Sequence, residues 1–306
     1  MTIEIVPKDA EAHLTWPGLM AAIEAGHRLP RAEIADLLLY RHDDTLLDRA
    51  AWIDGLGSLV KVGIIVPGNT GRGKPTVNGI VNLFDDATGE LTALLDFHLV
   101  TKWKTAGDSL LSASRLARKD SRNILLVGAG TVARNMVDAY SSLFPEARFT
   151  VWSRTRATAQ SMGLPVADDL ETAVKAADII CTATLTTDPL IKGAWLQPGQ
   201  HLDLIGAYTP AMREVDDTAM ARARIFVDAR ATTLHHIGDL MAPLASGAIT
   251  EADVIADFYD DPALFSRRSK DEITIAKNGG GAHLDLMTAT YIAQAWRARE
   301  STFQNV

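Results

Sequence analysis

Cysteine is almost absent from this chain: Cys181 is the single one in 306 residues. That excludes an internal disulfide and any metal site built from several thiolates. Long apolar runs are also missing, and none approaches the roughly 18 residues that a membrane-spanning helix needs. There is no block of basic residues. The net charge of −8 is spread along the chain and the isoelectric point is near 5.5, which argues against general nucleic-acid binding. The first residues, Met1-Thr2-Ile3-Glu4-Ile5-Val6-Pro7, show neither a basic start nor a long apolar stretch. No signal peptide is therefore expected, and the cytoplasm is the expected compartment. Internal repeats and low-complexity linkers are lacking too. What is present is apolar material: hydrophobic residues make up 47% of the chain, enough for a filled core, and 306 residues suit two domains or one large one.

The periodicity changes along the chain. Residues 16–28 read as a helix, with Thr15 as cap, Pro17 in the first turn and Leu19, Ala22 and Ile23 on one face. Segments 35–41, 45–53, 59–66, 77–85 and 90–97 are short, β-rich and separated by Gly, Pro, Asn and Asp. They predict a sheet of antiparallel character, with a hairpin loop at Asp85–Glu90. Helical spacing returns over 100–118. Strands are then expected at 123–127, 148–152, 178–182, 201–205 and 225–228. Helices at 131–143, 155–162, 169–176 and 216–223 lie between most of them, which implies a parallel sheet covered on both faces. A last helix, 281–299, carries Leu284, Met287, Tyr291 and Ala295 on one stripe and could pack back on the first domain. The expected fold is thus α/β. A Rossmann-type doubly wound domain (119–277) is joined to a discontinuous α+β domain (1–118 and 278–306) with an antiparallel-type sheet.

The most specific local motif runs from Asn123 to Ala133. Four apolar residues enter Gly128-Ala129-Gly130, and Thr131 and Val132 open a helix on which Ala133 is the third small residue. A strand, a tight glycine turn and a helix N-terminus together bind a pyrophosphate, whose charge meets free N–H groups. At the end of the next strand stands Ser153-Arg154-Thr155-Arg156, with no carboxylate to hold a ribose 2′-hydroxyl. A guanidinium flanked by hydroxyls suits a 2′-phosphate, so NADPH is the expected cofactor and NADH the weaker alternative. A solvated basic turn would look the same. Cys181 reads as a small core residue, because nothing places an activating base beside it. Thr182, Ala183 and Thr184 follow it where the chain passes the cofactor crevice.

The order of further segments resembles the ornithine cyclodeaminase/mu-crystallin family over nearly the whole chain. The matching segments are Lys61-Val62 to Pro67-Gly68-Asn69, Gly73-Lys74-Pro75-Thr76-Val77, Thr88-Gly89 to Leu95-Asp96, Thr101 to Ala106, Ser121 to Gly130, Tyr208 to Glu214 and Asp271-Glu272-Ile273-Thr274. The resemblance implies a homodimer, with a substrate domain from both chain ends and an NAD(P) domain between them. Its members include cyclodeaminases, imino-acid reductases, alanine dehydrogenases and a hormone-binding crystallin. Cyclodeaminases of the family carry an Asp in the segment that here reads Ile205-Gly206-Ala207-Tyr208-Thr209-Pro210, which has no acid. Lys104 stands where most relatives have Arg. The chain is most similar to the bacterial branch assigned to reduction of Δ1-pyrroline-2-carboxylate to L-proline, an activity that could extend to Δ1-piperideine-2-carboxylate and L-pipecolate. The alternatives are an ornithine cyclodeaminase, or a non-catalytic, crystallin-like NADPH-binding protein.

Reduction of a cyclic α-imino acid needs its carboxylate held by cations, its nitrogen protonated and its carbon aligned with the nicotinamide. Lys61 is the first candidate, because it puts a charge in an otherwise apolar strand; a surface lysine laid along the sheet is the plainer alternative. Lys104, near the expected start of the helix at 100, could reach the carboxylate, or be an ordinary solvated lysine beside Lys102. Arg49 and Arg41 compete for the family's early arginine, and Arg49 is favoured because an apolar strand follows it. Thr76 is a further substrate-side candidate, and Thr105 could touch the cofactor phosphates from the same helix start. With Gly128, Ala129, Gly130, Thr131, Val132, Ser153, Arg154, Thr155, Thr182, Ala183, Thr184 and Gly206, Thr105 completes the expected cofactor set. His235-His236 lacks a third ligand, so no metal is expected. His283 sits beside a glycine-rich turn and could reach the nicotinamide pocket, but reads first as a helix-surface histidine; Asp239 and Asp285 read as local hydrogen-bond acceptors. The proton donor is Lys61 or a water, unless the substrate arrives already protonated.

Overall fold

The structure, a computed structural model, describes residues 3–303. Backbone contacts divide the chain into two units, one comprising the residues up to Lys104 with those from Gly280 on, the other Thr105–Gly279. The sequence suggested divisions after 118 and after 277. The first division falls instead inside a helix, because the second half of that helix already serves the other unit: its Ser109 Oγ accepts a hydrogen bond from Asn278 Nδ2 at 3.0 Å.

The first unit is built on a six-stranded sheet: β1 (Glu4–Val6), β2 (Glu33–Arg41), β3 (Asp44–Ile53), β4 (Gly57–Ile65), β5 (Val77–Phe84) and β6 (Leu91–Asp96). Its strand order is β1-β6-β5-β4-β3-β2. Four pairings are antiparallel, but β1 joins β6 in parallel, so the sheet is mixed. β1 is three residues long, too short for alternation to show in the sequence. Side chains alternate across the sheet. On β4, Leu59 and Lys61 face inward. On the opposite face Leu37, Leu39, Trp52, Ile64 and Ile80 are exposed, and β2 is an edge strand exposed along its full length.

The inner face is covered by α9 (Ala282–Phe303), which packs on β3 and β4 and also against α1 (Trp16–His27). Thr15 caps α1 by accepting from the Gly18 N–H at 3.2 Å, and Trp16, Leu19 and Ile23 are its buried stripe. Leu284, Leu286, Met287, Ile292 and Ala293 of α9 are buried; of the stripe expected from the sequence, Leu284 and Met287 are buried, whereas Tyr291 and Ala295 are half-buried.

The second unit begins within α2 (Phe97–Leu116), then alternates strand and helix. In chain order come β7 (Asn123–Val127), α3 (Thr131–Leu143), β8 (Arg148–Trp152), α4 (Arg156–Gln160), α5 (Leu170–Ala176), β9 (Ile179–Thr182), β10 (His201–Leu204), α6 (Asp217–Arg222), β11 (Arg224–Val227), α7 (Arg230–Thr233), α8 (Gly238–Ser246), β12 (Val254–Ala256) and β13 (Thr274–Lys277). The seven strands are all parallel, in the order β12-β11-β13-β10-β9-β7-β8. Leu125, Val127, Ile180, Leu202, Leu204, Ile225 and Ile275 form its core. β8 lies on one side of β7 and β9 on the other, so the order reverses at β7/β9, and ligands bind at such a switch point, beyond the carboxyl ends of the strands. β12, β13, α7 and α8 are additions to the sequence reading; Pro243 inside α8 weakened its helix signal.

Candidate active site

In the first unit, strand register lines up three charged residues. Asp36 on β2 is opposite Arg49 on β3, which is opposite Lys61 on β4. Two cations side by side on a buried face repel unless anions flank them. Asp36 is the first anion: its carboxylate accepts from Arg49 Nε at 3.0 Å and Nη2 at 2.8 Å. The second is Asp285, from the first turn of α9, where the helix dipole favours a carboxylate. Lys61 Nζ donates to Asp285 Oδ1 at 2.7 Å, and Arg49 Nη1 stands 4.0 Å from Oδ2. Lys104 Nζ and Arg49 Nη1 both donate to the Gly280 carbonyl, at 3.1 and 2.9 Å.

Lys61 is buried, not laid on the surface, and its ammonium sits 4.7 Å from the centre of the Phe97 ring. That ring fits because Gly63 and Gly79 oppose each other across β4 and β5. A Cβ at Gly79 would stand 2.5 Å from the ring and 2.2 Å from the Val62 carbonyl. Burial pulls the Lys61 pKa down to about 8, against the attraction of Asp285. Burial pushes Asp285 up, but Lys61, Lys104 and Arg49 outweigh it and hold the carboxyl below its usual range. His283 is buried rather than on the helix surface, because α9 turns that face toward α1 and packs it edge-on to His27 at 5.3 Å. Burial, His27 and Lys104 lower its pKa well below the usual value, so its imidazole is neutral.

The structure therefore brings together Lys61, Lys104 and Arg49, and adds Asp285, Asp36, Phe97 and His283. Arg41 stands apart: it ends β2 at the hairpin, is exposed and pairs with Asp44 at 2.8 Å. Thr76 precedes β5 and is half-buried, and its carbonyl accepts from Val66 N–H at 2.7 Å. Lys104 and Thr105 do not lie at a helix start. The helix begins at Phe97, so the Thr105 N–H is inside it and only its side chain could meet a phosphate.

In the second unit, β7 runs into the glycine turn as the sequence required. Gly128 has φ +110°, and a Cβ there would stand 2.4 Å from the Ala183 carbonyl. Its N–H donates to Trp152 O at 2.9 Å. Ala129 is buried, whereas Gly130 is exposed and has open space where a Cβ would be. Gly130 precedes α3, whose N-terminus has no side-chain cap, so the N–H groups around Thr131 and Val132 point outward unclaimed by a capping side chain. Backbone can thus approach a pyrophosphate closely here, and the residues present fit a dinucleotide.

The other expected cofactor residues divide into three groups. Ser153 is half-buried and Arg154 and Thr155 are exposed at the end of β8. A carboxylate does lie near this turn, Asp168, but it is paired with Arg156. Thr182 is buried, with its hydroxyl 3.4 Å from the Asp203 carbonyl. Ala183 N–H donates to Val127 O at 2.8 Å, and the N–H groups of Thr184 and Gly206 are turned toward Glu214. Cys181 is buried in the core. Among the described residues no group of three or more His, Cys, Asp or Glu could hold a metal ion.

Similar chains and folds occur in known proteins. The chain is 50% identical over 298 residues, 94% of each chain, to the Δ1-pyrroline-2-carboxylate reductase of Paracoccus denitrificans. Its fold matches that of the Thermococcus litoralis Δ1-pyrroline-2-carboxylate reductase in complex with NADH and L-proline, with a TM-score of 0.87, 23% identity and coverage of 97% and 98% of the two chains. It also matches an archaeal alanine dehydrogenase dimer with bound NAD, at TM-score 0.87 and 25% identity over 98% of both chains. Residues 57–300 match the ornithine cyclodeaminase/mu-crystallin family, and the chain belongs to it.

Proposed function

We propose that this protein reduces the C=N bond of Δ1-pyrroline-2-carboxylate to give L-proline, using a reduced nicotinamide dinucleotide. The observation that carries this reading is the 50% identity, over nearly its whole length, to a reductase of that substrate. The buried cations supply the chemistry. Each ammonium has three protons, and among the described residues Lys61 gives one to Asp285 and Lys104 one to Gly280 O. The rest can hold the substrate carboxylate and approach the imine nitrogen.

When bound, the reduced nicotinamide supplies the hydride that adds to the imine carbon. Lys61 holds the proton that goes to the ring nitrogen. With a pKa near 8 it is mostly charged at neutral pH, yet gives up its proton far more readily than an ordinary lysine. Asp285 fixes the ammonium in place and neutralises part of the cation cluster. Arg49, engaged by Asp36 and Gly280, shapes the field more than it grips the substrate.

NADPH is the preferred cofactor in this reading. Arg154, which makes no ion pair among the described residues, is free for a 2′-phosphate, whereas Arg156 is engaged by Asp168. The protein acts as a homodimer in this reading: Leu37, Leu39, Trp52, Ile64 and Ile80 leave an apolar outer face on the sheet for a second copy to cover. Among the described residues no helix is long and apolar enough to cross a membrane, and we place the protein in the cytoplasm.

The test mixes purified protein with NADPH and Δ1-pyrroline-2-carboxylate and follows absorbance of the reduced nicotinamide. Oxidation with L-proline as product is expected. No oxidation, together with ammonia release from L-ornithine, would replace this reading with deamination. Neither activity, with NADPH still bound, would mark a binding protein. The six-membered Δ1-piperideine-2-carboxylate is the second substrate to try. Sedimentation gives the oligomeric state, and a monomer would refute the dimer.

A further inference from the structure

Among the ionisable groups buried in the second unit, Glu214, Asp239 and Lys277 are almost wholly buried and have no part in the chemistry above. The Glu214 carboxylate collects four hydrogen bonds. Oε1 accepts from Thr184 N–H at 2.9 Å and Thr184 Oγ1 at 2.7 Å. Oε2 accepts from Gly206 N–H at 2.8 Å and Ala207 N–H at 3.3 Å. Thr184 is on the loop leaving β9, and Gly206 and Ala207 are on the loop leaving β10. One side chain therefore ties two adjacent loops at the carboxyl edge of the parallel sheet. The packing is close: a Cβ at Gly206 would stand 2.2 Å from Thr184 N and 2.5 Å from Glu214 Oε1.

The other two groups hold this tie from behind. Asp239 Oδ1 accepts from the Glu214 N–H at 2.7 Å, and its Oδ2 lies 3.3 Å from Lys277 Nζ. Lys277 Nζ donates to the carbonyls of Leu204 and Ala207, at 3.0 and 2.7 Å. The β10 loop is thus gripped on its N–H groups by Glu214 and on its carbonyls by Lys277. A buried carboxylate that saturates its acceptors on backbone of two loops fixes their spacing as few neutral groups could.

The strand order says what those loops face. The glycine turn at the end of β7 takes the pyrophosphate, and the end of β8 takes the adenosine side. β9 and β10 lie across the switch point, where the other half of a dinucleotide falls. We propose that Glu214 is a positioning residue for the nicotinamide half of the cofactor, setting the separation of the β9 and β10 loops through its four hydrogen bonds. Asp239 and Lys277 hold it in place. The proposal rests on the dinucleotide reading above.

The test compares Glu214→Gln with the unaltered protein, using whole cofactors and their adenosine halves: NADPH against 2′,5′-ADP, and NADH against 5′-ADP. Glutamine keeps the length but sets an NH₂ group against one loop's N–H groups, so one loop is released. Calorimetry is expected to show the whole cofactor weakened about tenfold or more, with the half-molecule unchanged within about twofold. The KM for the cofactor rises, while that for the imino acid at saturating cofactor does not. Equal weakening of whole and half cofactor, or no weakening, would overturn the proposal. If the unaltered protein bound no dinucleotide, the reading beneath it would fail instead. Should Glu214→Gln not fold, Thr184→Val removes one of the four bonds and must show the same selectivity at about threefold; an equal effect on both halves there overturns the proposal too.

Discussion

The two units build their sites from different material. In the second, the decisive groups are backbone: a glycine at φ +110°, an uncapped helix N-terminus and loop N–H groups held at fixed spacing. In the first, they are side chains that meet across large sequence separations, 224 residues for Lys61–Asp285, 231 for Arg49–Gly280 and 176 for Lys104–Gly280. A backbone site tolerates changes that keep the backbone path. A site of buried charges depends on every partner, because removing one leaves another uncompensated.

The sharpest way to break this contrast is at Lys61. Lys61→Met should lower kcat by about a thousandfold, the range for loss of a general acid, while leaving NADPH affinity intact. Because the variant leaves Asp285 buried without its partner, it should also unfold at lower denaturant. Adding Asp285→Asn should recover stability but not turnover, and if turnover returned, Lys61 would not be the acid.

Gly128→Ala is the matching blow to the backbone site. A positive φ and a Cβ at 2.4 Å from a carbonyl together cost about 1–3 kcal/mol. Cofactor binding should therefore weaken about tenfold to a hundredfold by fluorescence titration, with no change in the pH dependence of turnover. Arg154→Ala should weaken NADPH about tenfold and NADH hardly at all. Equal effects on the two would refute the phosphate assignment.

Asp285→Asn alone is a subtler probe. In the proposed mechanism Lys61 must be charged to donate its proton, so activity should fall as pH rises through about 8. The carboxylate favours the charged ammonium, hence its loss lowers the Lys61 pKa, and the descending limb of the kcat profile should move to lower pH by about one unit. A limb that stayed in place would show that Asp285 does not act on Lys61. The smallest effect is expected at Arg41. Its ion pair with Asp44 is exposed, so Arg41→Ala should change stability by less than about 0.5 kcal/mol and leave KM for the imino acid unaltered.

The same contrast explains what could be read in advance. The glycine turn was legible because strand, turn and helix are contiguous over residues 123–133. Lys61 was legible as a charge in an apolar strand. Asp285 was not recognised as its partner, since nothing local links the first turn of α9 to β4. Two facing cations on β3 and β4 require an anion, but register is needed to see that they face each other. The positions of the two early arginines were hidden in the same way: pairing puts Arg49 beside Lys61 and leaves Arg41 at the hairpin. The burial of His283 is not legible in the sequence, because the packing of α9 on α1 covers a position outside the expected apolar stripe.

The position of α9 in the chain bears on how the protein is made. The second unit is one continuous stretch, 105–279, and can fold as soon as it leaves the ribosome. The first unit emerges earlier but lacks the helix that covers its sheet and brings Asp285. Until α9 is synthesised, Lys61, Arg49 and Lys104 lack the Asp285 carboxylate, and their repulsion works against premature collapse of the sheet. The cation cluster thus gains its buried carboxylate last, and an intact cluster marks a chain synthesised through α9.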